Sequence, residues 1–274
     1  MRNPFRSCVL LICLSAGLGH AEELPLWEAG AGIGVTTLPH YRGSDQSRTW
    51  VLPVPYVVYR GESLKVDDDR RIRGLFGDKT ELEFSLNGSP PAKNNDARRG
   101  MPDLDATLEI GPSLNITLFR SERRSERLEL RLPVRSVIAS DFSHFRQTGW
   151  IFQPNLSLDF RNALGNRRWN LGVQGSLIYT DRRYNQYFYA VDPVFATTER
   201  PAFDPGGGYG GTTLLATVSK RFPNFWIGAF AKWDSVGGAV FSDSPLVRTR
   251  NNLSGGLGIA WILEASSAKV EARN

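Results

Sequence analysis

Residues 104–118, LDATLEIGPSLNITL, alternate without a break. Every even position from Leu104 to Leu118 is apolar, and every odd position from Asp105 to Thr117 is polar or glycine. Period two over that length specifies a β-strand with one greasy and one wet face. Strands of ordinary soluble domains run about 5–6 residues. A strand this long needs a large apolar counterpart, either a second sheet or lipid.

The pattern recurs along the chain. In 127–138, Leu128, Leu130, Leu132, Val134 and Ile138 oppose Arg127, Glu129, Arg131 and Arg135. In 150–160, Trp150, Phe152, Leu156, Leu158 and Phe160 oppose Gln153, Asn155, Ser157 and Asp159. In 169–180, Trp169, Leu171, Val173, Leu177 and Tyr179 oppose Asn170, Gln174 and Ser176. Weaker versions lie at 26–38, 49–60, 80–88, 212–222, 226–236 and 251–263, and helical periodicity is not evident. The connections then alternate: 39–48, 89–103, 139–149, 181–211 and 237–250 are long, whereas 119–126, 161–168 and 223–225 are short. That asymmetry is the mark of an outer-membrane barrel, with long extracellular loops and short periplasmic turns. The reading is therefore all-β: a transmembrane antiparallel up-and-down β-barrel of about ten strands. Segment 61–79 is long where a turn is due. It holds either an extra periplasmic hairpin or, in the alternative, two more spanning strands for a total of twelve.

A composition of 41% hydrophobic and 22% charged residues resembles that of a soluble protein. It is equally compatible with a barrel, where only alternate residues meet lipid. The net charge of +5 suits anionic surroundings, but no basic helix or RNA-binding motif points to nucleic acid. Arg2 and Arg6 precede the apolar run CVLLICLSAGLG and a small-x-small site, Gly19-His20-Ala21. Residues 1–21 thus read as a signal peptide cut after Ala21. Cys8 and Cys13 leave with it, so disulfides and cysteine-based metal sites are not expected. Residues 22–263 form the barrel, and 264–274 a polar C-terminal tail.

All seven tryptophans (27, 50, 150, 169, 226, 233 and 261) fall within three residues of a strand end. Interfacial aromatic belts require that placement, whereas a soluble sandwich would bury several mid-strand. Pro53, Pro55, Pro112, Pro133 and Pro154 fall inside strands, where each removes a ladder donor, so local bulges are expected there.

Four motifs occur in order: LPHYRGSD (Leu38 to Asp45), RRGMPDLD (Arg98 to Asp105), YNQYFYAV (Tyr184 to Val191) and SDSPLV (Ser242 to Val247). Together they resemble the MipA/OmpV family of Gram-negative outer-membrane proteins, over essentially the whole mature chain. The C-terminus departs from the common barrel pattern, because Trp261-Ile262-Leu263 is followed by EASSAKVEARN instead of ending on an aromatic residue. The resemblance implies a barrel whose best-known member is a scaffold, joining a lytic transglycosylase (a murein hydrolase) to a peptidoglycan synthase. Other members are linked to osmotic response, adhesion and antibiotic susceptibility. Fold alone does not choose among these.

No catalytic, cofactor or metal residues are assigned. SDFSH (Ser140 to His144) and HYRGSD (His40 to Asp45) each gather Ser, His and Asp, but these are also ordinary turn residues. GGGYGG (Gly206 to Gly211) lacks the Lys-Ser/Thr of a phosphate loop. The inward charges (Arg127, Glu129, Arg131 and Arg135 beside Glu81, Glu83, Asp105, Glu109 and Asp159) read as a packed polar interior. A selective pore is the alternative, since eight strands are filled by side chains while sixteen leave a channel. Candidate partner-binding residues are the periplasmic arginines Arg70, Arg71, Arg73, Arg120, Arg123 and Arg124, with Arg167 and Arg168 on the same side. Arg42, Arg48, Arg98, Arg99, Arg182 and Arg183 face the exterior, where lipopolysaccharide phosphates lie. The expected activity is a non-catalytic scaffold for peptidoglycan-remodelling enzymes, against a small-solute channel or a rim hydrolase. Expected partners are outer-membrane lipid and lipopolysaccharide, a lytic transglycosylase and a peptidoglycan synthase, with no nucleic acid.

Overall fold

The computed structural model describes residues 23–60, 64–66, 72–75, 79–121, 125–141, 143–163 and 169–271. The strands are β1 (Glu23–Pro25), β2 (Trp27–Pro39), β3 (Ser47–Arg60), β4 (Leu64–Val66), β5 (Ile72–Leu75), β6 (Thr80–Ser89), β7 (Ala106–Arg120) and β8 (Glu126–Ser140). They continue as β9 (Phe145–Phe152), β10 (Asn155–Asn162), β11 (Trp169–Thr180), β12 (Gly208–Arg221), β13 (Phe225–Ser235), β14 (Asn251–Ala265) and β15 (Lys269–Glu271). One helix, α1 (Arg182–Tyr189), interrupts the long connection between β11 and β12. Among the described residues no helix is long and apolar enough to cross a membrane.

Thirteen strands form one antiparallel sheet in the order β10-β11-β12-β13-β14-β2-β3-β4-β5-β6-β7-β8-β9. The lower half of β8 also pairs with β10, Asn155 opposite Arg131 through Phe160 opposite Glu126, and this closes the ring. The upper half of β8 pairs with β9, so β9 and β10 are one stave broken at Gln153-Pro154. Ten long staves result: β2, β3, β6, β7, β8, β9 with β10, β11, β12, β13 and β14. The short β4–β5 hairpin is inserted between β3 and β6 near the end where the turns are short. β1 and β15, from the two ends of the described chain, pair with each other outside this sheet.

Alternation assigns the faces. On β7, Thr107, Glu109, Ser113 and Asn115 are buried inward, while Leu108, Ile110, Leu114 and Leu118 are exposed outward. The same holds for Ile33 and Val35 on β2, Phe84 and Leu86 on β6, Leu177 on β11, and Leu253, Leu257 and Leu263 on β14. An apolar belt on nearly every stave is far larger than a soluble surface carries, and lipid is the solvent that suits it. Leu104 departs from the expected strand. It precedes β7, pairs with Ala92 across an isolated bridge and is buried among the loops. Tryptophans 27, 150, 233 and 261 are exposed on the outward face. Trp226 instead turns inward against Tyr56, Val58 and Ala260.

The prolines do not produce the expected bulges, because the ladder irregularities lie elsewhere. Beyond the Pro39–Ser47 pair, His40 N donates to Gln46 O at 2.9 Å. Antiparallel alternation then gives the even residues of β3 to β2 and turns the odd residues away. The absent donors of Pro53 and Pro55 therefore fall on the side opposite β2, where the recorded ladder to β4 involves only Tyr59 and Arg60. Pro112 lies where the β7–β8 ladder skips two residues, and Pro154 marks the β9–β10 break.

Glycine shapes the β2–β14 seam. A Cβ on Gly30 or Gly32 would run into the backbone of β14 at Trp261 O or Ile259 O, so only glycine permits that approach. The loop between β8 and β9 is shorter than expected, because both strands run on to Ser140 and Phe145.

Candidate functional site

The four family-like motifs, far apart in sequence, meet in one cap at the long-loop end. Its core holds Tyr41, Ala97, Leu104, Tyr184, Phe188, Tyr189, Val191, Phe241 and Leu246, among others. Tyr189 stacks on Phe241 with ring centroids 3.7 Å apart and meets Tyr41 edge-on at 6.1 Å. Tyr41 Oη donates to Leu246 O at 2.8 Å, Tyr189 Oη to Arg42 O at 3.0 Å and Ser244 Oγ to Tyr189 O at 2.7 Å. Burial pushes the Tyr41 phenol up to about 12, as expected where water is excluded.

Helix α1 is the element that sequence reasoning missed. Asp181 caps its N-terminus, its carboxylate accepting from Tyr184 N at 2.9 Å and from Trp150 N at 3.1 Å. Tyr184, Tyr187 and Phe188 then follow at i, i+3 and i+4 spacing, the local signal that could have revealed the helix. Asn185, fully buried, donates to Gly206 O at 2.7 Å, and Thr180 donates to its side-chain oxygen at 2.7 Å. The GGGYGG run thus latches the cap onto the top of β12.

Two of the arginines expected at the exterior surface are turned inward. Arg42 Nη1 donates to Gly210 O at 2.7 Å, and its guanidinium lies 6.0 Å from the Phe241 ring. Arg98 is buried and donates to Phe188 O at 3.0 Å and Pro102 O at 3.2 Å. Arg48 lies over Trp50, Arg99 pairs with Asp96 and Arg182 pairs with Asp204.

Inside the ring, β6, β7, β8 and β10 carry a ladder of ion pairs. Arg127 meets Glu81 at 2.9 Å and also Glu129, and Arg131 bridges Glu129 (2.6 Å) and Asp159 (2.9 Å). Arg135 binds Glu109 at 2.9 Å and donates to Gln153 at 2.5 Å and Ser85 at 3.1 Å. Arg127, Arg131 and Arg135 thus each reach an acid on another strand, and Glu129 lies between two arginines of its own strand, which is what makes their burial tolerable. The opposite wall has fewer charges: Glu28 with Arg221 and Tyr56, and Lys232 with Asp234. Between these, Gly32, Gly34, Gly256 and Gly258 lie on the inner face. Asp105, expected in the interior, stands at the cap, 4.0 Å from Arg146.

The Ser/His/Asp clusters have turn geometry. Asp141 accepts from the backbone N–H groups of Ser143 and His144, and these bonds hold its carboxyl well below the usual range. His144 is largely exposed. His40 contacts Asn95 through Nδ1 at 3.0 Å and belongs to the cap. Among the described residues no group of three His, Cys, Asp or Glu is placed to hold a metal.

Of the candidate partner-binding residues, Arg70, Arg71, Arg123 and Arg124 lie outside the described residues, as do Ala21, Arg167 and Arg168. Arg73 is paired through its backbone in β5 with Glu83 of β6. Arg120 ends β7, exposed, with its backbone opposite Arg127. Both are at the short-turn end.

No curated protein matches the sequence. Among solved structures, the chain is similar to a bacterial polysaccharide outer membrane secretin, at 8% identity and TM-score 0.44, over 86% of this chain and 99% of that one. It is also similar to an outer membrane channel from Pseudomonas putida F1, at 14% identity and TM-score 0.39, over 89% and 98% of the two chains. The family model described as MltA-interacting protein MipA matches residues 31–263, from within β2 to within β14, and this outer-membrane β-barrel belongs to that family.

Proposed function

We propose that the protein is a non-catalytic outer-membrane scaffold that gathers peptidoglycan-remodelling enzymes at its periplasmic face. The observation that carries this reading is membership of a family named for interaction with MltA, a lytic transglycosylase. The molecule's build supports it. A packed aromatic cap lies over one end, ion pairs line the wall from β6 to β10, and the Ser/His/Asp groups are spent on turns. An N-terminal signal peptide cut after Ala21 provides export, and lipopolysaccharide surrounds the cap end. The partner surface then lies at the short-turn end, where Arg73 and Arg120 stand; Arg70, Arg71, Arg123 and Arg124 neighbour them in sequence. Arginine suits carboxylate pairing with an acidic partner. Crosslinking in intact cells, followed by identification of the captured proteins, tests the proposal. Recovery of a lytic transglycosylase or a peptidoglycan synthase is expected, with weaker capture after neutralising Arg70, Arg71 and Arg73. Absence of any murein enzyme from the captured set refutes it.

A channel is the second reading, favoured by one observation. The glycine-lined wall leaves inner space unfilled: Leu52 and Thr217, on the inward faces of β3 and β12, are both exposed. Conductance steps from purified protein in planar bilayers, altered by Arg131→Gln, would favour the channel over the scaffold.

A further inference from the structure

A cleft of about 850 Å³ opens in the cap between the segment around Arg98 to Leu104, the start of β9, helix α1 and the segment from Ala190 to Asp204. That size falls within the range of about 300–1,000 Å³ typical of small-molecule sites. We propose that this cleft binds a small organic anion, a carboxylate or phosphate monoester carried on an apolar or aromatic body.

The argument begins with Arg98. It is only 7% exposed, lines the cleft and uses Nη1 and Nη2 on backbone carbonyls, but its Nε–H is buried with no acceptor. Among the described residues no carboxylate stands within ion-pair distance of it. A second buried guanidinium, Arg200, braces the same segment. All its bonds go to carbonyls, namely Phe195 O, Ala97 O and Arg99 O. Two buried cations whose hydrogen bonds go only to neutral acceptors leave positive charge that Asp103 offsets only from a distance, and desolvation lowers the Arg98 pKa. Buried charge without a counter-ion is costly, and an entering anion relieves that cost.

The rest of the cleft fits the same ligand. Arg146 at the rim lies 5.4 Å from the Tyr187 ring, whose hydroxyl is fixed by Asp105 N at 2.9 Å. Met101, Phe195 and Phe203 supply apolar wall. Three acids also line the cleft. Asp204 is bonded by Arg182 and Gln186 and Asp103 by Asn94 N, whereas Asp192 is exposed to solvent, where its charge is screened. A lipid A phosphate shares the head-group chemistry. The apolar walls and the depth of Arg98 favour a free solute instead. The proposal stands on the cap alone and does not depend on the scaffold reading.

The test is isothermal titration of the full-length protein in phosphatidylcholine nanodiscs with phenyl phosphate, benzoate and neutral benzyl alcohol. Saturable binding of at least one anion is expected, with benzyl alcohol about tenfold weaker or more. Ala202→Trp, which fills the cleft from an exposed position, abolishes binding. Arg98→Gln weakens it about tenfold. Because Arg98 also braces the cap, the folded state of that variant is checked by electrophoretic mobility, and the exposed Arg146→Gln gives an independent loss. Absence of saturable anion binding, equal binding of benzyl alcohol, or unchanged binding by Ala202→Trp overturns the site. Displacement of the probe in lipopolysaccharide nanodiscs but not in phosphatidylcholine ones overturns the small-solute assignment.

Discussion

Tyr189→Ala is expected to melt the cap and leave the barrel standing. Tyr189 is 1% exposed and lies at the centre of the cap. Its ring stacks on Phe241 at 3.7 Å and meets Tyr41 and Phe188, each at 6.1 Å. Its hydroxyl donates to Arg42 O at 3.0 Å. Truncating a buried aromatic costs about 3–5 kcal/mol through lost transfer energy and the cavity left behind. Tyr189→Phe, which removes only the hydroxyl, costs about 1 kcal/mol. At about 1.4 kcal/mol per factor of ten, Tyr189→Ala should raise cap opening roughly a thousandfold, and Tyr189→Phe less than tenfold. Amide hydrogen exchange in nanodiscs reads this directly. The reporters are Val191 N, bonded to Phe203 O, and Ala239 N, bonded to Val236 O. Amides along the β13–β14 ladder serve as the internal control. Cap amides exchanging at the wild-type rate in Tyr189→Ala would refute the energetic role given to Tyr189. Equal acceleration in the β13–β14 ladder would refute the separation of cap from barrel.

Glu129→Gln removes a carboxylate that is 1% exposed and held between Arg127 and Arg131. It should cost about 3 kcal/mol, read as a lower urea midpoint for loss of the heat-modifiable folded band. Gly32→Val should prevent barrel assembly, because its Cβ meets Ile259 O, whereas Gly175→Ala, with nothing within 4 Å, should fold normally. The cap should also depend on pH through His40, whose pKa is lowered first by burial and then by Arg48. A lowered folded pKa makes protonation unfavourable in the folded state. The stability it contributes is therefore full above the unfolded value near 6.5 and is lost as pH falls through the folded one. Hydrogen exchange of the cap amides between pH 7 and pH 5 checks this, and His40→Gln should flatten the dependence.

The alternation of LDATLEIGPSLNITL and its counterparts determined the staves, their faces and hence the lipid-facing belt, because a period of two is written into each strand independently of its neighbours. The ten-stave count was legible for the same reason, as were the mid-wall charges Arg131, Glu129 and Asp159, each alternating with apolar neighbours. Which charges pair was not legible. Arg131 reaches Asp159 only because β8 and β10 close the ring, a long-range register that no local pattern encodes.

The loops were less legible still, since packing and not periodicity decides them. Tyr41, Arg98, Tyr189 and Leu246 are separated by long stretches of sequence and carry no shared local signature, yet they meet in one core. Arg42 and Arg98 looked like surface charges because sequence cannot weigh the carbonyls that fold around a guanidinium. Pro53 and Pro55 looked like defects because a closed ring has no free side, until the β4–β5 insertion left β3 one. The sequence alone determined that the chain lies in a membrane as strands. Only the tertiary structure decided that the long loops at one mouth pack into an aromatic cap, because burial there is shared among segments that local patterns treat as unrelated.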